Sequence, residues 1–156
     1  MKDQNFPISI EAQFLDGLGS WERTTANLRT PGTHVHLGNS LFTPHCIASK
    51  SKTYLGEQWV RVELLVLGNS LIRHIVEAET VLEYYTPEIG CGVVNNFDPA
   101  IKLDGQPLTE GFIVLQSESH PIEFRKVELL NLKGCKNNKA KKYKSYFIED
   151  DPAACK

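Results

Sequence analysis

Several features are scarce in this chain, and each scarcity excludes something. One methionine and two tryptophans occur in 156 residues. No run reaches the roughly 18 apolar residues that a spanning helix needs. Cations are not in surplus: 17 Lys and Arg stand against 19 Asp and Glu, a formal charge of −2. Without a basic excess, counterion release offers no basis for binding nucleic acid. No segment sustains a 3.6-residue apolar period between caps, so little or no helix is expected. None of the four cysteines, Cys46, Cys91, Cys135 and Cys155, belongs to a C-x-x-C pair. Zinc and thioredoxin-type sites therefore have no sequence support. The chain opens Met1-Lys2-Asp3-Gln4-Asn5-Phe6 and enters a strand-like pattern at Ile8 with no leader-type segment.

What is present reads as strand. Hydrophobic residues make up 41% of the chain, too many for wholesale disorder, and the length fits one core. Ile8, Ile10, Ala12 and Phe14 alternate with Ser9, Glu11 and Gln13, the period of a half-buried strand. Residues 58–67 alternate as well, with Val60, Val62, Leu64 and Val66 on one face. Gly68-Asn69-Ser70 supplies turn chemistry and residues 71–76 return, which predicts a hairpin. Residues 80–85 read as a further strand ended by Pro87, and residues 111–118 and 122–132 as the last two. The apolar phase slips between Phe124 and Val127, which predicts a β-bulge near Arg125-Lys126. An antiparallel, all-β sandwich follows. Two long connections, residues 16–32 and 86–110, are either functional loops or plain insertions.

Cys135 and Cys155 bracket a polar segment at the end of the chain. A disulfide closing so small a loop constrains its unfolded state by about 3 kcal/mol in the chain-entropy model. We expect that bridge, and with it an oxidising compartment; two free thiols are the plain alternative. Cys46 and Cys91 either pair or stay free.

Among the polar residues, Glu11 and Gln13 share a strand face that suits sugar hydroxyls or simply faces solvent. His74 shares a face with Ile72 and Val76; on that ground alone it is a satisfied core histidine rather than a group at a cleft rim. His45 lies in Pro44-His45-Cys46, in a loop or strand end. His34 and His36 have an i, i+2 spacing without an evident acidic partner, so exposure is expected rather than a metal. The densest polar stretch is residues 116–125, with Gln116, Glu118, His120, Glu123 and Arg125. Carboxylates and imidazoles are the usual proton-transfer groups, while Glu123 and Arg125 read as a structural pair.

A set of motifs carries a resemblance. They are Ser9-Ile10-Glu11-Ala12-Gln13, Glu22-Arg23-Thr24-Thr25-Ala26-Asn27, Thr30-Pro31-Gly32-Thr33 and His45-Cys46. Ser51-Lys52-Thr53-Tyr54, Gln58-Trp59-Val60, His74 and Glu79-Thr80-Val81-Leu82-Glu83-Tyr84 follow. The last are Glu110-Gly111-Phe112-Ile113-Val114-Leu115-Gln116 and His120-Pro121-Ile122-Glu123-Phe124-Arg125. In this order the chain resembles the 3-keto-disaccharide hydrolase domain family, a concanavalin-like jelly roll. The tail is similar to a cysteine-bracketed motif of secreted bacterial proteins, through Cys135, Ala140, Tyr143, Asp150, Asp151 and Cys155, with Asn137-Asn138 replacing its usual Asp-Pro.

The resemblance implies a carbohydrate substrate, a glycoside oxidised to a 3-ketone. The ketone makes the C2–H acidic, so a base can remove it and the C1 substituent can leave by β-elimination, with water added afterwards. Hydrolysis by paired acids is the other route. His74 or Glu118 is the expected base or acid; Glu11, Gln13, Arg23, His45, Gln116 and His120 are the expected sugar-binding residues. A divalent metal would suit an enolate, but no ligand set marks one. The family often has Cys at the position of Arg29, which would pair with Cys46, and an Asn-Gly turn where this chain has Glu77-Ala78. The match covers the C-terminal part of the family domain, so a sandwich incomplete at its N-terminus is expected, with Met1 an internal methionine of a longer secreted protein. The domain division is 1–133 for the sandwich and 134–156 for the tail. The location implied is periplasmic or extracellular, with no membrane span and with oligomers forming through an exposed sheet edge. The alternatives are a non-catalytic, lectin-like carbohydrate-binding module and an inactive truncated remnant.

Overall fold

Where apolar and polar residues alternate in the first two thirds of the chain, strands form. The computed structural model describes residues 4–90, 92–118 and 121–156, in two compact units, Met1–Ile113 and Val114–Lys156.

The first unit is built from two antiparallel sheets. One has three strands, in the order β1 (Glu11–Gln13), β2 (Asn27–Arg29), β5 (Cys46–Ile47). The other has five, in the order β4 (Ser40–Phe42), β3 (Thr33–Leu37), β8 (Glu79–Ile89), β7 (Leu71–Val76), β6 (Val62–Leu67). Leu28 of the first sheet packs with Val35, Ile72 and Tyr84 of the second, and Ala26 packs with Val76 and Val81. Sheet lies against sheet over one apolar layer, a β-sandwich. Each fully buried apolar side chain of this kind contributes about 1.5–3 kcal/mol.

The predicted hairpin is present. β6 and β7 pair from Val62↔Val76 to Leu67↔Leu71, and Gly68 turns with φ +57°. Along β7 burial alternates strictly, with Ile72, His74 and Val76 inside. β6 is an outer strand, and its Leu64 and Val66 stay about half exposed although they share the phase of the inward face.

β8 carries two irregularities. Leu82 pairs with His74 and Thr80 with Ile75, so Val81 is the extra residue of a bulge; its carbonyl accepts the Lys50 N–H at 2.8 Å. The second falls between the pairs His36↔Tyr85 and His34↔Glu88. It explains why Pro87 does not end the strand as expected. A bulge leaves a place where no ladder N–H is required, and the Pro87 carbonyl accepts from Leu108 N–H at 2.8 Å. The same pairing corrects the reading of the two β3 histidines: His34 is buried, and His36 Nε2 lies 3.9 Å from Glu88 Oε2. A Cβ on Gly90 would meet the His34 ring at 2.4 Å, so only glycine fits there. Residues 92–110 close onto the end of β8 through Ile89 N–H to Gln106 O (2.8 Å) and Gly105 N–H to Ile89 O (2.7 Å).

Residues 111–118 and 122–132 were expected to be strands and are not, among the described residues. Alternation becomes a strand only where a neighbour supplies ladder bonds. These residues enter no ladder, the expected bulge at Arg125-Lys126 has nothing to bulge from, and Phe112 is fully exposed.

In the second unit, β9 (Lys133–Gly134) and β10 (Glu149–Asp150) pair in parallel. Cys135 is bonded to Cys155, as the bracketing predicts. Asp151 caps the 3-10 turn Pro152–Cys155 by accepting the Ala153 N–H at 3.1 Å. Lys136 N–H donates to Asp150 Oδ1 (3.0 Å), and Lys133 Nζ pairs with Glu149 (2.7 Å).

The β7–β8 turn stores strain that can be released. Glu77 and Ala78 have φ of +49° and +69°, a conformation that non-glycine L-residues adopt at a cost of about 1–2 kcal/mol each. Ala78→Gly is therefore expected to raise stability by about 0.5–1 kcal/mol, after allowing for the freer unfolded chain, measured as a higher midpoint in urea unfolding; a lower midpoint would contradict the turn geometry.

Candidate functional site

The outward face of the three-stranded sheet gathers polar residues by register. Glu11 is the partner of Arg29 across β1–β2, and Arg29 is the partner of Cys46 across β2–β5. Leu28, Ala12 and Ile47 form the intervening row, and Leu28 is fully buried, so the Glu11–Arg29–Cys46 row faces away from the core. Gln13 lies two residues along from Glu11 on the same face, and its Oε1 accepts from Arg29 Nε at 3.0 Å. Arg29 Nη1 contacts Cys46 Sγ, and Cys46 is an exposed free thiol. Ser9 Oγ donates to Glu11 Oε1 at 3.1 Å. Glu11, Gln13 and Arg29 are each half-buried, so they are held in place while still reaching solvent.

His74 sits inside the sandwich at 1% exposure. Its Nδ1 lies 2.8 Å from the Ala26 carbonyl and its Nε2 lies 2.9 Å from the Tyr84 hydroxyl. The carbonyl can only accept, so Nδ1 carries the proton and Nε2 accepts from Tyr84. Burial lowers the His74 pKa, partly offset by the bond to Ala26, and burial raises that of Tyr84. Both groups are therefore held neutral. With both ring nitrogens engaged, the imidazole ties β7, β8 and the start of β2 together, the satisfied core arrangement.

Two further polar groupings belong to the first unit. On the outward face of the five-stranded sheet, Tyr85 and Arg73 both donate to Glu83. Those two bonds hold the Glu83 carboxyl below its usual range, and the Tyr85 phenol is raised by donating to it. A cleft of about 230 Å3 lies between residues 50–54 and the β7–β8 turn, lined by Lys50, Lys52, Tyr54, Glu77 and Glu79 among others. Burial and then the nearby Glu77 and Glu79 raise the Tyr54 pKa. Among the described residues no three His, Cys, Asp or Glu side chains gather as metal ligands.

Residues 1–130 match the family described as the 3-keto-alpha-glucoside-1,2-lyase-like domain. The chain belongs to this family. No curated protein and no solved structure matches it. Membership makes this a carbohydrate-related domain with an all-β, concanavalin-like fold. No helix among the described residues is long and apolar enough to cross a membrane.

Within this family member, the expected site residues are dispersed. Glu11 and Gln13 come together, joined by Arg29. Arg23 stands in the loop before β2, its backbone N–H bonded to Thr53 Oγ1 (2.8 Å) and its Nη1 to Asp16 O (3.0 Å). His45 accepts from Thr30 N–H at its carbonyl (3.1 Å), while its buried Nδ1 has no hydrogen-bond partner among the described residues. His74 is in the core. Gln116 and Glu118 are exposed in the second unit. His120 and Cys91 lie outside the described residues. Sequence reasoning noted Arg29 only as a departure from the family pattern. Its place beside Glu11 is set by strand register, which alternation alone does not reveal.

Two tests follow from this geometry. Unfolded His74 titrates near 6.5 and folded His74 lower. The unfolded chain therefore binds the proton first as pH falls. The contribution of His74 is complete above the unfolded value and is lost between that value and the folded one, with a slope of up to about 1.4 kcal/mol per pH unit. Urea unfolding across that window should show the slope in the native chain and a smaller one in His74→Leu; equal slopes would clear His74 of that role. His74→Leu should also be less stable by about 2–5 kcal/mol, because it leaves the Ala26 carbonyl and the Tyr84 hydroxyl unpaired.

The second test concerns Arg29 and Cys46. Thr30 N–H donates to His45 O, so that rung is the hydrogen-bonded one and Arg29↔Cys46 is the non-bonded rung, with Cα atoms about 4.5 Å apart. That lies within the range a disulfide spans. Arg29→Cys is expected to close a disulfide with Cys46 on air oxidation, visible as a two-proton mass loss in the peptide map. Two persistent thiols would refute the register.

Proposed function

We propose that the domain cleaves glycosides oxidised to a 3-ketone, by removal of the C2 proton and elimination of the C1 substituent. Family membership over residues 1–130 carries this reading, and the Glu11–Arg29–Gln13 face supports it. Glu11 is a carboxylate able to take a proton, set beside a guanidinium and an amide able to hold sugar oxygens. Electrons of the C2–H bond form the enolate. They then make the C1=C2 bond as the C1–O bond breaks, and the departing oxygen takes up a proton. Water added across C1=C2 completes the formal hydrolysis. Glu118 is the other proposed proton-transfer residue, and Arg23, His45, Gln116 and His120 remain proposed sugar contacts. His74 serves as scaffold in this reading. The Cys135–Cys155 bond favours a periplasmic or extracellular setting.

A second reading is non-catalytic saccharide binding. The cleft beside Tyr54 favours it, because Lys50 and Lys52 offer donors and Glu77 and Glu79 offer acceptors to a ring of hydroxyls.

Incubation with an aryl 3-keto-glucoside discriminates between these readings. The first reading expects aglycone release from the ketone and none from the parent glucoside, whose C2–H is not acidic. Glu11→Gln and Glu118→Gln are assayed in parallel, and loss of the residue that takes the proton should slow release by about 10²–10⁴-fold. Binding of the parent glucoside with no release from either compound would replace the first reading with the second.

A further inference from the structure

We propose that Arg29 is a catalytic residue whose guanidinium holds the two oxygens of the enolate formed at C2 and C3; this rests on the cleavage proposed above. When the C2 proton leaves a 3-keto-glycoside, the negative charge is shared by C2 and O3, and the O2 hydroxyl stays on C2 in an O2–C2=C3–O3 unit. That unit is planar, and its two oxygens lie side by side. A guanidinium is planar too, and it presents parallel N–H groups in a fork that matches paired oxygens, whereas an ammonium offers only a point charge.

The placement of Arg29 fits this use in three ways. First, its strand partner is Glu11, so acid–base group and fork share one rung of one sheet. Second, the side chain is held by Gln13, whose Oε1 accepts from Nε at 3.0 Å. A donor fixed before the reaction costs no reorganisation when charge appears. Third, that bond uses only part of its five N–H groups. Among the described residues, both Nη2 hydrogens and one on Nη1 take no part in it, and Arg29 is half-exposed. Neither Glu11 nor Gln13 can do this work, since a carboxylate repels the enolate and the amide oxygen already faces the guanidinium.

The step balances with the residues named. Glu11 takes the C2 proton, and the C2–H electrons form the C2=C3 bond as the C3 carbonyl becomes an oxyanion on Arg29. The oxyanion's electron pair then reforms the C3 carbonyl, the C2=C3 pair shifts to make C1=C2, and the C1–O bond breaks with its pair on the leaving oxygen. The leaving oxygen takes the proton now on Glu11. No oxidant or reductant is consumed.

The experiment separates this step from cleavage as a whole. The native chain, Arg29→Gln and Arg29→Lys are incubated with a 3-keto-glucoside in D2O. Exchange at C2 is followed by NMR, aglycone release by absorbance, and folding by thermal melting. Native protein should exchange and release. Arg29→Gln should lose about 10²–10³-fold in both, with KM changed much less than kcat. Arg29→Lys should melt like the native chain yet fall well short of its exchange rate, because charge alone does not make a fork. Added guanidinium chloride at millimolar concentration should restore part of the exchange to Arg29→Gln. Native activity with undiminished exchange in both variants overturns the role of Arg29 and leaves the cleavage reading standing. Native protein that neither exchanges nor releases overturns both.

Discussion

The sandwich depends on one buried imidazole. His74 spans from the Tyr84 hydroxyl in the larger sheet to the Ala26 carbonyl at the entry to the smaller one, and each partner has a single compatible role. Ala26 has φ +52° and no exposure, so a strained residue is held in the core with its carbonyl answered. The next residues begin β2. Fixing Ala26 fixes the phase of that strand, with Leu28 pointing into the core and Arg29 pointing out beside Glu11. The core histidine thus acts on the polar face through the alternation of three consecutive residues, without touching it. A neutral imidazole is required, since a charged one would have to donate from Nε2 as well and displace the Tyr84 proton from its bond.

Much of this was legible in the sequence where contacts are local. The face shared by Ile72, His74 and Val76, the β6–β7 turn at Gly68 and the Cys135–Cys155 bracket each involve neighbours or a short loop. Failures occurred where the deciding partner is far along the chain. His36 seemed to lack a carboxylate because Glu88 reaches it only through the β3–β8 pairing. Pro87 reads as a stop unless the bulge before it is known. Arg29 looked like a mere departure from a pattern until register set it opposite Glu11 and Cys46. Residues 111–118 and 122–132 show the opposite error. Their alternation is as clear as that of β6, but pattern alone does not supply a neighbouring ladder.

Two ionic groupings of similar composition lie on outward sheet faces, and their chemistry differs. At Glu83, Tyr85 occupies Oε1 and Arg73 occupies Oε2, and the lowered carboxyl pKa records that closure. Such a trio stiffens a surface and offers a ligand little. Among the described residues, Glu11 is engaged only at Oε1, by Ser9, and Arg29 bonds Gln13 through Nε, leaving its Nη2 hydrogens outside that bond. Charged groups that are positioned but not fully satisfied gain most when a polar ligand arrives, because the bonds they form replace water rather than one another. A count of charges would rank the two faces alike. Open hydrogen-bonding capacity separates them, and it makes the three-stranded sheet the face better suited to a polar ligand.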